Sequence, residues 1–239
     1  MRILLLADIH ANWPALQAAA AEPHDLCFVL GDLVDYGPDP GPCVEWVRQN
    51  ARHAVRGNHD HGAAQDVAVT GKAGFKYLTG VTRALTRERL TSEQLRWLAR
   101  LPASKLVTVA NTRFLLVHAS PRDPLDEYCA ADPEVWARRL QGVEADVVCV
   151  GHTHHAYVLE ADGKLVVNPG SVGQPRDGDP RASYAVIQDY NVELKRVEYP
   201  VAETVASIEA TGLPPGAKAM LADVLRRGAA ATVNGNGQK

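Results

Sequence analysis

The chain lacks several features that would place it in familiar protein classes. No apolar run approaches the length of a bilayer span. The N-terminal run Ile3–Ala7 is interrupted at once by Asp8 and is also too short for a signal-peptide core. Cysteine is scarce: Cys27, Cys43, Cys129 and Cys149 are the 4 present, and none forms a CxxC pair. Cys27 and Cys149 sit inside apolar runs and read as small core residues, so a reducing compartment is expected rather than a disulfide framework. Charge of one sign is also missing. A net charge of −3 leaves no basic footprint for duplex nucleic acid or a membrane surface. An anionic substrate would therefore need a local source of positive charge. Together these absences lead us to expect a cytoplasmic protein.

What is present is ordinary globular usage, 46% hydrophobic and 22% charged, over a length that suits one large domain. A chain of this size buries roughly 70–75% of its unfolded surface, so it needs no covalent staple. No internal repeat or long linker divides it. We expect one domain over residues 1–228 and a polar, Gly-rich flexible tail over 229–239.

The first two-thirds alternates short apolar runs with helical patterns. Arg2–Ala7 reads as a buried strand. Trp13–Ala21 reads as a helix, capped by Asn12 with Pro14 in its first turn. Leu26–Leu30 and His53–Val55 read as further strands, separated by a helix over Pro42–Gln49. Such spacing implies parallel strands joined by crossovers. Thr70–Pro102 has a helical pattern, and the charged run Arg83–Arg89 reads as a solvated helix face. Leu106–Ala110 and Phe114–Val117 read as a hairpin turning at Asn111-Thr112. A helix starts at Asp132-Pro133, and Val147–Val150 is another buried strand. Tyr157–Glu160, Leu165–Val167, Tyr184–Ile187 and Val192–Val197 are short strands taken as antiparallel. Two closing helices are expected over Val201–Ala210 and Gly216–Arg227. Strands with crossovers followed by strands in a row imply two packed sheets with helices outside, a layered α/β domain.

Polar residues cluster where the strands end, and the carboxyl ends of strands are where α/β sheets bind ligands. His10, His59, His118, His152 and His154 all lie just past an apolar run. In extended chain Asp8 and His10 project to one side and can grip one ion together, with Ile9 pointing into the core. Asp32, after Gly31, has two oxygens and can bridge two cations. Asp35 is read as structural. In Gly57-Asn58-His59-Asp60, the Asn58 amide oxygen can ligate a metal without adding charge. His59 is free to act on a substrate, and Asp60 can hold its ring in one tautomer. Arg56 offers a planar fork for phosphate. Gly151-His152-Thr153-His154 sets two alternate histidines at a strand end, and His155 reads as a loop residue. Each motif alone is compatible with turn and cap chemistry.

In this order, Asp-x-His, Gly-Asp, Gly-Asn-His-Asp, His and Gly-His-x-His resemble the calcineurin-like metallophosphoesterase superfamily, its small bacterial and archaeal branch in particular. The segments GDLVDYGPDP (31–40), HASPRDPLDEY (118–128) and NPGSVGQPRDGDPRASY (168–184) support this. The resemblance covers roughly residues 1–228. Ala11 and Ala119 depart from it where glycine is frequent, and Asp35 where a small residue is common.

The resemblance implies an α/β/β/α sandwich of two mixed sheets, the metallo-dependent phosphatase type. It also implies two divalent metal ions. Asp8, His10, Asp32 and His154 would hold the first, and Asp32, Asn58, His118 and His152 the second. A metal-bridging hydroxide would attack a phosphate monoester or diester. His59 would act as general acid with Asp60 behind it, and Arg56 would contact phosphate. Two such ions with two carboxylates and a hydroxide leave the site near about +1, the local attraction that the whole chain lacks. Nitrogen and oxygen donors without thiolate favour Mn, Fe or Zn, Mn first. The expected partner is a small phosphorylated substrate, nucleotides among the candidates. No membrane or duplex nucleic acid is expected, and oligomeric state is left open. Arg176 and Tyr128 are candidate selectivity residues, and the loops Pro38–Cys43, His61–Lys76 and Arg122–Ala131 are expected to frame the pocket. The rival possibilities are a catalytically silent protein-binding module on the same scaffold, as in the retromer-subunit branch, and a flavodoxin-like switch protein.

Overall fold

A computed structural model describes residues 1–229. Two five-stranded sheets pack face to face. Along the chain run β1 (Arg2–Leu6), α1 (Trp13–Ala20), β2 (Leu26–Val29), α2 (Pro40–Asn50), β3 (His53–Ala54), α3 (Asn58–Gln65), α4 (Gly74–Arg89) and α5 (Ser92–Arg100). Then follow β4 (Ser104–Val109), β5 (Thr112–Val117), α6 (Pro133–Arg139), β6 (Val147–Cys149), β7 (Ala156–Ala161) and β8 (Lys164–Pro169). The last elements are β9 (Ala182–Gln188), β10 (Asn191–Val197), α7 (Val201–Glu209) and α8 (Pro215–Arg227). One sheet has the order β10-β9-β1-β2-β3, the other β4-β5-β6-β8-β7.

The alternation of side chains along each strand builds the layers. Ile3 and Leu5 of the first strand, and Ala7 just past its end, face Phe114, Leu116, Val147 and Cys149 of the second sheet. Leu4 and Leu6 face outward onto Leu16, Val44 and Leu98 of the covering helices. Val117, Val148 and Val150 likewise face Trp136 and Leu140. A fourth cluster joins Leu78 of α4 to Val205, Ile208, Leu221 and Leu225 of the closing helices. The layered α/β/β/α architecture of two mixed sheets is therefore present. All 4 cysteines are free and buried. Among the described residues no helix is long and apolar enough to cross a membrane.

Several expectations change. The strands after Tyr157 are not uniformly antiparallel: β8 pairs parallel with β6, while β9 and β10 leave for the other sheet. The hairpin turns at Ala110-Asn111, one residue earlier than expected, because Val109 pairs with Thr112. Asn58 opens a helix, α3, which takes up the first part of the expected loop His61–Lys76. Asp60 in its first turn accepts from the Gly57 backbone N–H at 3.0 Å and stabilises that start. Of the expected tail, residues 230–239 lie outside the described residues.

Candidate metal centre

The segments that leave β1, β2, β5 and β6 meet at one end of the sandwich. Asp8 and His10 do reach the same space, but not through the pleat of a strand. The strand ends at Leu6, and Asp8, His10 and Ala11 have φ of 53°, 46° and 51°. Asp32, Asp35, His152 and His154 share this left-handed backbone, at 53°, 65°, 65° and 59°. The conformation costs an L-residue roughly 1–3 kcal/mol, so the surroundings must hold it. Backbone bonds from Asp8 to Gly31 (3.1 Å), His10 to Asp32 (3.0 Å) and Ala11 to Leu33 (2.8 Å) do so. Gly57 passes so close that an added Cβ would lie 2.0 Å from Asp32 Oδ1. Ile9 is buried in the core, as expected.

Tautomers follow from the partners. His10, His118 and His154 each direct Nδ1 at a backbone carbonyl, of Val34 (2.9 Å), Leu30 (2.8 Å) and Gln174 (2.6 Å). A carbonyl only accepts, so each Nδ1 carries a proton and each Nε2 is turned into the site. His10 Nε2 and His154 Nε2 stand 3.2 Å apart. Burial and the neighbouring His59 push His10 down to about 3, and burial with Arg176 pushes His154 well below its usual range, so both rings are neutral. Two lone pairs thus face each other with no proton between them. Asp8 Oδ1 is 3.4 Å from His154 Nε2, buried, and without a hydrogen-bond partner. These three donors fit a cation.

The second group lies alongside. His118 Nε2 is 3.2 Å from Asn58 Oδ1, 3.1 Å from His152 Nδ1 and 3.3 Å from Asp32 Oδ2. Burial alone would depress His118, but the Asp32 carboxylate outweighs it and raises the ring to about 9. The protein pulls positive charge into this space. Burial, with His118 alongside, lowers His152 to about 4. Asp32 bridges the groups with a single oxygen rather than two. Its Oδ1 accepts from the His59 backbone N–H at 2.9 Å, while Oδ2 lies 3.8 Å from His10 Nε2 and 3.3 Å from His118 Nε2. All of Asp8, His10, Asp32, Asn58, His118, His152 and His154 converge as expected.

Three other expectations are corrected. Asp60 does not hold His59. Its two oxygens accept backbone N–H groups of Leu33 (2.8 Å) and Gly57 (3.0 Å), and burial raises it to about 7. The partner of His59 is Asp35, whose Oδ2 accepts from Nδ1 at 2.7 Å. Asp35 is in turn gripped by Arg83 at 2.6–3.0 Å, so Arg83 belongs to the interior and not to a solvated face. The clue was helical spacing: Thr79, Thr82, Arg83 and Thr86 form one buried stripe of α4. Arg56 is not at the site either; its guanidinium donates to the Ala99 carbonyl at 3.2 Å.

A cavity of about 500 Å³ opens over the cluster, lined by Asp32, Asn58, His59, His152, His154, Phe75, Tyr128 and Arg176 among others. Lys76 and Leu125 also line it, so the segments 61–76 and 122–131 contribute, whereas 38–43 does not. Tyr128 donates to the Thr153 carbonyl at 2.7 Å, and His155 stays in an exposed loop.

The chain is similar to known proteins in sequence and in fold. A metallophosphoesterase from Sphaerobacter thermophilus is 35% identical, with a TM-score of 0.79 over 95% of this chain and 99% of that one. An uncharacterized protein of Methanocaldococcus jannaschii is 31% identical over 89% of this chain and 93% of its own length. The symmetrical bis(5'-nucleosyl)-tetraphosphatase of Paracidovorax citrulli is 33% identical over 59% of this chain and 52% of that protein. The profile of the calcineurin-like phosphoesterase superfamily domain matches residues 1–190, and with the converging Asp and His donors it establishes that the chain belongs to that superfamily.

Proposed function

We propose that the chain hydrolyses small phosphate esters at a centre of two divalent metal ions, with His59 as general acid. The observation that carries this is the pair of facing, unprotonated Nε2 atoms of His10 and His154 beside the unpartnered Asp8 Oδ1, linked through Asp32 Oδ2 to a second donor cluster. Asp8, His10 and His154 would hold one ion, Asn58, His118 and His152 the other, and Asp32 would be shared. Bound ions would supply a water acidified to about pKa 7 and offset phosphoryl charge. The thiolate-free donor set suits Mn, Fe or Zn, with Mn our first choice.

His59 does the proton work. Nδ1 is committed to Asp35, so Nε2 is the atom left to face the reacting group, 3.9 Å from Asp32 Oδ2. Burial lowers its affinity for a proton, but Asp32 and Asp35 together outweigh burial and raise it above 6.5. The ring thus holds a proton that it can release to a leaving alkoxide, an effect worth about 10²–10⁴-fold. The cavity falls in the size range of small-molecule sites, about 300–1,000 Å³. The stretch shared with the tetraphosphatase supports nucleotides as candidates. The complete donor set speaks against a silent binding module.

The test is chelation, restoration with Mn²⁺, and assay of p-nitrophenyl phosphate beside its bis ester. Metal-dependent release is expected, and Asp8→Asn and His59→Gln should each lower turnover at least about 100-fold. Two bound ions with no activity on either ester would refute the proposal.

A further inference from the structure

With Arg56 turned away, any side-chain cation that meets the phosphoryl group beside the metal ions must come from elsewhere. Of the arginines lining the cavity, Arg83 is neutralised by Asp35. Arg176 has no carboxylate partner among the described residues. Its Nη2 donates to Gln174 Oε1 at 2.8 Å, its Nε is buried without a partner, and its guanidinium carbon lies 3.7 Å from the centre of the Phe75 ring. Stacking and the amide bond fix the plane of the guanidinium while leaving donors unused. A half-buried cation so held costs free energy unless an anion completes it.

Its placement is set by the same loop that sets a metal-donor histidine. Gln174 accepts from His154 Nδ1 through its carbonyl, while its own N–H donates to Ser171 Oγ at 2.8 Å. Ser171 Oγ in turn donates to the Asp8 carbonyl at 2.7 Å, and the Gly173 N–H donates to that carbonyl at 3.0 Å. The loop is therefore pinned to the end of β1, and Arg176 keeps a fixed relation to Asp8, His10 and His154.

We propose that Arg176, braced on Phe75 and Gln174, binds a phosphoryl oxygen of the substrate on the Asp8/His10/His154 side of the centre. This assignment rests on the phosphoesterase reading and deepens it. The experiment measures binding of inorganic phosphate by calorimetry to the Mn²⁺-loaded chain, its Arg176→Met and Arg176→Lys variants, with metal content and melting recorded alongside. Arg176→Met should weaken phosphate about 10- to 100-fold, as expected for lost charge-assisted bonds, at unchanged Mn²⁺ stoichiometry. Arg176→Lys should recover part of the loss, which a purely packing role would not produce. KM for p-nitrophenyl phosphate should rise in the same order. Phosphate affinity within twofold of the parent in a folded, metal-loaded Arg176→Met overturns the assignment and leaves the phosphoesterase reading standing. A parent that binds two ions but neither phosphate nor ester overturns both.

Discussion

Left-handed backbone occurs at both ends of the sandwich, for opposite reasons. At the end away from the candidate metal centre it makes the hairpin turns Ala110-Asn111, Asp162-Gly163 and Asp189-Tyr190, where both central residues have positive φ. These two-residue turns match the twist of the flanking strands, and all six residues are exposed. At the other end, Asp8, His10, Asp32, Asp35 and His154 adopt the same conformation while buried. There it swings polar side chains toward a common point just after the strands end. The conformation is a local turn solution at one end and a device imposed by tertiary contacts at the other.

Substitutions at glycines test that contrast most sharply. Gly57→Ala would drive a methyl into Asp32 Oδ1, a contact of 2.0 Å with no open space to yield into. We expect a loss on the order of 3 kcal/mol in stability, together with weakened Mn²⁺ binding, read by melting and calorimetry. An unchanged melting point would show that the strand ends give way more easily than their packing implies.

Asp35→Asn probes the hydrogen bond between Asp35 and His59 and should have a smaller effect. Removing this carboxylate takes away one of the two influences that raise His59, so its affinity for a proton falls. The acid form is then lost at lower pH, and the alkaline limb of kcat moves toward neutrality, with about 10-fold lower turnover at pH 8. Asp60→Asn should leave that limb in place, since Asp60 bonds only to backbone. If the two variants behave alike, Asp35 is not the partner that matters.

Gly163→Ala gives the smallest effect. Its φ is +67°, but nothing lies within 4 Å of the added methyl. The cost should be about 1 kcal/mol of backbone strain, with metal binding and turnover unchanged. Altered turnover would show that the hairpin end communicates with the site.

Much of this was legible in the residues. The unbroken apolar runs Ile3–Ala7 and Val147–Val150 read as strands buried on both faces, and Asn12 and Asp132 marked helix starts. The donor types after each strand, taken in order, carried the family resemblance that implied the candidate centre. Asp35, Arg83 and Arg176 were harder to place, because a carboxylate or guanidinium spans several ångströms and its direction depends on neighbours far along the chain. Arg83 meets Asp35 across 48 positions, and Gln174 meets His154 across 20.

The order of apolar runs, caps and strand-end polar groups therefore determined the layered fold and which side chains could serve as donors, since residue hydrophobicity and its periodicity are local properties of the chain. Only the tertiary structure decided that Asp35 rather than Asp60 holds His59, and that Arg176 rather than Arg56 faces the cavity. After the strands end, the left-handed turns reset side-chain direction, and hydrogen bonds to distant segments choose among chemically equivalent residues.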